Sequence, residues 1–171
     1  MNTRPEKDEY SPYHERYVSL VPETEILPVL QKQVEEIQLL ADRITPERET
    51  FRYAPDKWSI REVFGHLVDC ERVFAYRAFC ISKGDQASFP SFEQDDYINN
   101  AYYNQRPLAD IMDELLLLRK SNLAFLSLVT DDDWNRRGTV NNHSISVRAL
   151  GYIMAGHIRH HVNVLKQNYG V

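Results

Sequence analysis

The chain has 171 residues, of which 43% are hydrophobic and 26% charged, with two cysteines; this describes a globular domain able to bury its own core, not a disordered or disulfide-built one. Twenty lysines plus arginines against 25 acids leave a net charge of −5, which argues against a main role in binding nucleic acid or an anionic membrane, since both need a basic face. The first residues are polar with no apolar signal core behind them, and the longest aliphatic run, Leu115 to Leu118, is far short of the ~20 residues that span a bilayer.

Residues 1–20 mix charge, Pro5 and Pro12 with tyrosines and show no period. They read as an extended arm, tied down by Tyr10, Tyr13 and Tyr17, ahead of a single domain over 21–171. Ile26, Val29, Leu30, Val34, Ile37, Leu40, Ala41 and Ile44 then recur at spacings of three and four, one face of a first helix. Pro28 is tolerable only in a first turn, so this helix should begin near Thr24. After breaks at Pro46 and Pro55, Ser59-Ile60-Arg61-Glu62 forms a capping-box signature. The second helix should run from Ile60 to Lys83 and stop at Gly84.

Residues 85–106 are polar and aromatic, a long connection holding a short helix. Its aromatics, Phe89, Phe92, Tyr97, Tyr102 and Tyr103, either roof a pocket or cover a bundle end. Pro107 suits the opening of a third helix, whose stripe runs Leu108, Ile111, Met112, Leu115, Leu118, Phe125, Leu126 and Val129 and ends at Asp131-Asp132-Asp133. Residues 134–142 read as loop. The fourth helix should start at Ser144 or Ser146 and end near Tyr169-Gly170. No alternation of period two is evident, so the expected fold is an all-α four-helix bundle. Cys70 and Cys80 fall on one helix roughly 15 Å apart, too far for a disulfide. That spacing suits a reducing compartment, with the cytoplasm as the expected location.

The histidines carry the functional signal. On a wheel of ~100° per residue, His157 and His161 share the apolar stripe with Leu150, Met154 and Leu165, while Arg148, Arg159 and Lys166 face the opposite way. His160 falls at the edge of the stripe. On the second helix, His66 lies with Val63, Cys70, Val73 and Phe74. Three imidazoles therefore point inward from two helices. A single interior histidine reads as a hydrogen-bonded core residue; three on converging stripes point to one shared ion. The i,i+4 pair can reach one ion at Zn–N distances of ~2.0–2.1 Å, and three protein ligands leave a position open for water or substrate.

Neighbouring residues keep two readings each. Cys70 is a core filler or a thiolate ligand. Asp69 is a hydrogen-bond acceptor for the site, a base, or a solvated edge. Arg77 also points inward, where it would suit an anionic substrate or else pair with an acid such as Glu114. His14 in the arm and His143 in a loop read as surface residues. Ile158 replaces the glutamate of an HExxH zinc motif, and Met154 and Val63 stand where di-iron bundles carry glutamate. There is no CxxCH, P-loop, GxGxxG or GxSxG.

The segment Lys57-Trp58-Ser59-Ile60-Arg61-Glu62-Val63-Phe64-Gly65-His66-Leu67-Val68-Asp69-Cys70-Glu71 resembles the tryptophan–serine to histidine–leucine–x–aspartate signature of the DinB/YfiT-like superfamily. Gly156-His157-Ile158-Arg159-His160-His161 is similar to that family's closing helix, and Asp131-Asp132-Asp133-Trp134 to the turn after its third helix. The resemblance spans Leu20 to Asn168. It implies a four-helix bundle, often a homodimer, with a divalent metal held by His66, His157 and His161. Zinc or nickel is the first expectation, with iron, manganese or copper also suiting imidazole-rich sites. It further implies a metal-dependent hydrolase, or a transferase that adds a low-molecular-weight thiol such as bacillithiol to small electrophiles. Asp69 and Arg77 are the accessory candidates. The alternative is a non-catalytic stress-response or binding module that keeps a structural metal.

Overall fold

A computed structural model describes residues 3–171; the first two positions of the N-terminal arm lie outside it. The described arm residues form short helical turns at 7–9 and 12–14 and then α1 (Glu15–Val18). An extended arm is therefore not what forms. Tyr10, Tyr13 and Tyr17 are themselves spaced by three and four, a short helical period, and Tyr10 and Tyr17 are buried while Tyr13 is exposed.

Four long helices build the bundle: α2 (Ile26–Ala41), α3 (Ile60–Ser82), α5 (Leu108–Leu126) and α7 (Val147–Val164), with the short α4 (Gln94–Ala101) and α6 (Asp131–Trp134) between them. The capping box forms as expected: Ser59 Oγ accepts from the Glu62 amide at 3.2 Å, and Glu62 accepts from the Ser59 amide at 2.7 Å. Ser146 Oγ caps α7 in the same way, accepting from the Ala149 amide at 2.9 Å. Gly84 and Gly170 take left-handed backbone angles, φ 83° and 66°, where the chain leaves α3 and the final wider turn, a conformation that costs glycine little. α3 packs on α5 and α7, and α2 packs on the same two helices, so α2 and α3 face each other across the bundle.

The region expected to be loop holds a small sheet. β1 (Ser88–Phe89) pairs in parallel with β2 (Arg137–Val140), which pairs antiparallel with β3 (His143–Ser146). The hairpin turns on Asn141 and Asn142, both at positive φ, 46° and 62°, the backbone of a two-residue type I′ turn that asparagine tolerates. Gly138 lets β2 lie close on Ile81 of α3. The sheet thus pins the end of α3 to the start of α7. Arg148, placed by the wheel on the solvent face of α7, is mostly buried and pairs with buried Glu9 of the N-terminal segment. A wheel of one helix has no knowledge of the segment that folds over it.

Candidate metal centre

Val63, His66, Cys70, Phe74 and Arg77 follow one another along the inward face of α3, and all five are buried. Leu150, Met154 and His157 do the same along α7, and half-buried His161 follows one turn on. Because α3 and α7 pack directly on each other, the two stripes meet. His66, His157 and His161 each place a ring nitrogen within 4.8 Å of the others. The Nε2 atoms of His66 and His157 are 3.0 Å apart.

Aromatic residues wall the cluster. Trp58 tilts against His66 with centroids 4.8 Å apart, while Tyr17 and Phe74 meet His157 edge-on at 5.2 and 5.6 Å. Burial dominates the electrostatics. It pushes His66 down to about 4, and it pushes His157 and His161 well below the ordinary imidazole range, with the neighbouring histidines adding to the effect. All three rings are therefore neutral at physiological pH, the state in which imidazole binds a metal. Nitrogen pairs ~3 Å apart also match two ligands at ~2.0–2.1 Å from one ion. The donor set fits a divalent cation.

The other candidates fall around the cluster. Cys70 Sγ lies 3.5 Å from His66 Nε2 but does not join the three-histidine group. Burial raises the Cys70 thiol, so it stays protonated. His160 meets Tyr17 and His161 edge-on, at 5.5 and 5.0 Å, also outside the group. Asp69 accepts from the Tyr103 hydroxyl at 2.8 Å, while its other oxygen is buried without a partner. Burial raises its carboxyl.

A cavity of about 440 Å³ opens beside the cluster, bounded by His66, His157, Tyr17, Phe74, Phe92 and Arg77. His14 and His143 also line it; His14 is half-buried, so its reading as an ordinary surface residue does not hold, whereas His143 is exposed as expected and borders the cavity from its rim. The chain folds the N-terminal segment and the hairpin over the mouth of the cavity, a placement with no local signature. Arg77 does not pair with Glu114; that acid is taken by Arg72 and Arg106, each at 2.6 Å. Of the aromatics from the long connection, Phe92 reaches the cavity, whereas Phe89 and Tyr103 are buried elsewhere and Tyr102 is exposed.

Residues 30–165 match the family model of the DinB superfamily. The chain belongs to the DinB superfamily. Among solved structures it is similar to YfiT from Bacillus subtilis, described as "a probable metal-dependent hydrolase with an unusual four-helix bundle topology". That likeness has a TM-score of 0.76 at 16% identity and covers 95% of this chain and 94% of the other, so it speaks for the shared fold. No curated protein matches the sequence. Among the described residues of this DinB-superfamily chain, no helix is long and apolar enough to cross a membrane.

Proposed function

We propose that this chain is a metal-dependent enzyme acting on a small molecule, with His66, His157 and His161 holding one divalent ion. The observation that carries this reading is that His66 and His157, the two buried members of a neutral three-imidazole cluster, line a cavity large enough for a substrate. A structural metal site is normally closed by four protein ligands, and neither Cys70 nor Asp69 joins the three histidines. Zinc or nickel suits the donor set best. An ion held by His66, His157 and His161 would supply Lewis acidity, polarising a carbonyl and lowering the pKa of a water or thiol.

The chain's own residues shape what enters. Trp58, Tyr17 and Phe74 pack against the imidazole rings and exclude bulk water, which strengthens every electrostatic interaction inside. His14 Nδ1 pairs with Ser11 Oγ at 3.1 Å, leaving Nε2 as the ring atom free to hydrogen-bond a bound molecule. Burial pushes His14 down to about 4, so it meets that molecule as a neutral partner.

Hydrolysis is the leading reaction, in keeping with the description of YfiT as a probable metal-dependent hydrolase. Thiol transfer is the second reading. The cavity of about 440 Å³ has room for a thiol beside an electrophile, so the same site accommodates it. Elemental analysis of purified protein, followed by turnover of a panel of esters, amides and thiol–electrophile pairs, tests the proposal. The expected result is about one divalent ion per chain and activity that His157→Ala removes together with the metal. Activity that survives complete metal removal would overturn it.

A further inference from the structure

Among the described residues, Arg77 is a buried charge with no acid beside it. The residue is 7% exposed, and its Nη2 donates to the Pro90 carbonyl at 2.6 Å. Its guanidinium lies 5.8 Å from the Phe92 ring centroid. Among the described residues no carboxylate pairs with it. A guanidinium carries five N–H donors and stays charged. Its remaining N–H groups are not sealed in the core, since the residue lines a cavity, and they are open to a ligand there. By contrast the other deeply buried arginine, Arg119, is paired at 2.8 Å with both oxygens of Glu71.

Arg77 also lines the cavity that His66 and His157 line, and it is the one arginine or lysine among the described lining residues. We propose that Arg77 is the anchor for a carboxylate-bearing ligand of this cavity. Arg77 is the fixed cation of this lining and exposed Glu93 its one carboxylate; the planar fork of arginine matches the two oxygens of a carboxylate. A phosphate dianion would be left half-compensated. Phe74, Phe92 and Tyr17, which line the same space, supply an apolar wall for the rest of the molecule.

The helix sets the length of that molecule. Arg77 follows His66 by eleven positions on α3, a rise of roughly 16 Å between the two Cα atoms. Both side chains lean back towards the N-terminus, and the longer arginine reaches further than the histidine, which shortens the gap. The carboxylate therefore sits on the order of 10 Å from the group presented to the imidazoles. That orienting consequence rests on the metal-enzyme reading above; the anchoring itself does not.

Binding to metal-free protein tests the anchor separately from that reading. The probes are 4-phenylbutyrate and its neutral isostere 4-phenylbutyramide, titrated at constant ionic strength and followed by amide and arginine side-chain NMR shifts. The carboxylate should bind at least 10-fold more tightly than the amide and shift the Arg77 Nε signal. In Arg77→Gln, which retains a donor for the Pro90 carbonyl, that preference should fall to near one while amide binding is unchanged. Arg77→Lys should keep part of it and decides the matter if the glutamine variant does not fold. Equal binding of both probes, no binding of either, or a preference untouched in the folded glutamine variant would overturn the proposal. So would inorganic phosphate binding more tightly than 4-phenylbutyrate. Failure of the metal reading would appear elsewhere, as an absence of bound ion in elemental analysis.

Discussion

Three imidazoles gathered in one place, two of them buried, make this protein sensitive to acid in a defined window. An unfolded histidine titrates near 6.5, while burial holds His66 at about 4 in the folded chain. Between those values the unfolded chain binds more protons than the folded one. Stability of the metal-free protein should therefore rise with pH across this window and be lost as pH falls through it. Melting temperatures measured from pH 7 to pH 4 should drop for the native chain and drop less for His66→Gln; parallel curves would contradict the assignment. A second contrast lies on α7. His157 sits in the cluster and His160 beside it, so His157→Ala should remove most bound metal and His160→Ala little. Both variants should stay helical, because Leu150, Met154 and Leu165 still hold the stripe in the core. Metal content and far-UV circular dichroism of the two variants check this.

Among the elements, the helices announce themselves and the cover over the cavity does not. Ser59 and Glu62 mark the start of α3 by chemistry internal to four residues. The spacing of apolar residues on α3 and α7 carries the histidines to one face whatever surrounds them. The hairpin was hidden because its strands are four residues each and their alternation is too short to count. Its one legible signal is Asn141-Asn142, a pair suited to positive φ. The N-terminal segment depends on a closer fit still. A Cβ on Gly156 would collide with the carbonyl oxygen of Tyr17, a backbone atom that has no rotamer to escape into. Gly156→Ala should push α1 off α7 and destabilise the fold by about 1–3 kcal/mol, the usual range for overpacking. Hydrogen exchange should show residues 15–21 losing protection first. Unchanged exchange there would mean that the helix moves instead.

At the scale of the whole molecule, one polar network ties the four long helices together. Arg119 of α5 donates to Glu71 of α3 at 2.8 Å and to Gln33 of α2 at 2.9 Å. Gln33 in turn donates to the Ala155 carbonyl of α7 at 2.8 Å, two residues before His157. Arg119 is 0% exposed and Glu71 2%, so removing one partner strands a charge in the core. Arg119→Met should cost about 3–5 kcal/mol in urea unfolding, with Arg119→Met/Glu71→Leu costing less than Arg119→Met alone. A near-neutral single variant would show that Glu71 finds water or a new partner.

What the sequence determined by itself was everything periodic or local: the four long helices, the cap on α3, and which face of α3 and α7 each histidine occupies. Helical period and capping depend on neighbours within a turn, so they survive without knowledge of the rest of the chain. The inward direction of Arg77 was legible for the same reason, but its lack of an acid partner was not. Only the tertiary structure decided that Glu114 belongs to Arg72 and Arg106, and that His14 and His143 line the cavity. It also decided that Arg148 turns inward to Glu9. Apart from Arg106 and Glu114, eight positions apart, each of these pairs residues more than 35 positions apart in the chain or depends on a segment folding over another. Such contacts are selected by which surfaces remain to be covered once the helices have packed, and no local pattern encodes that choice.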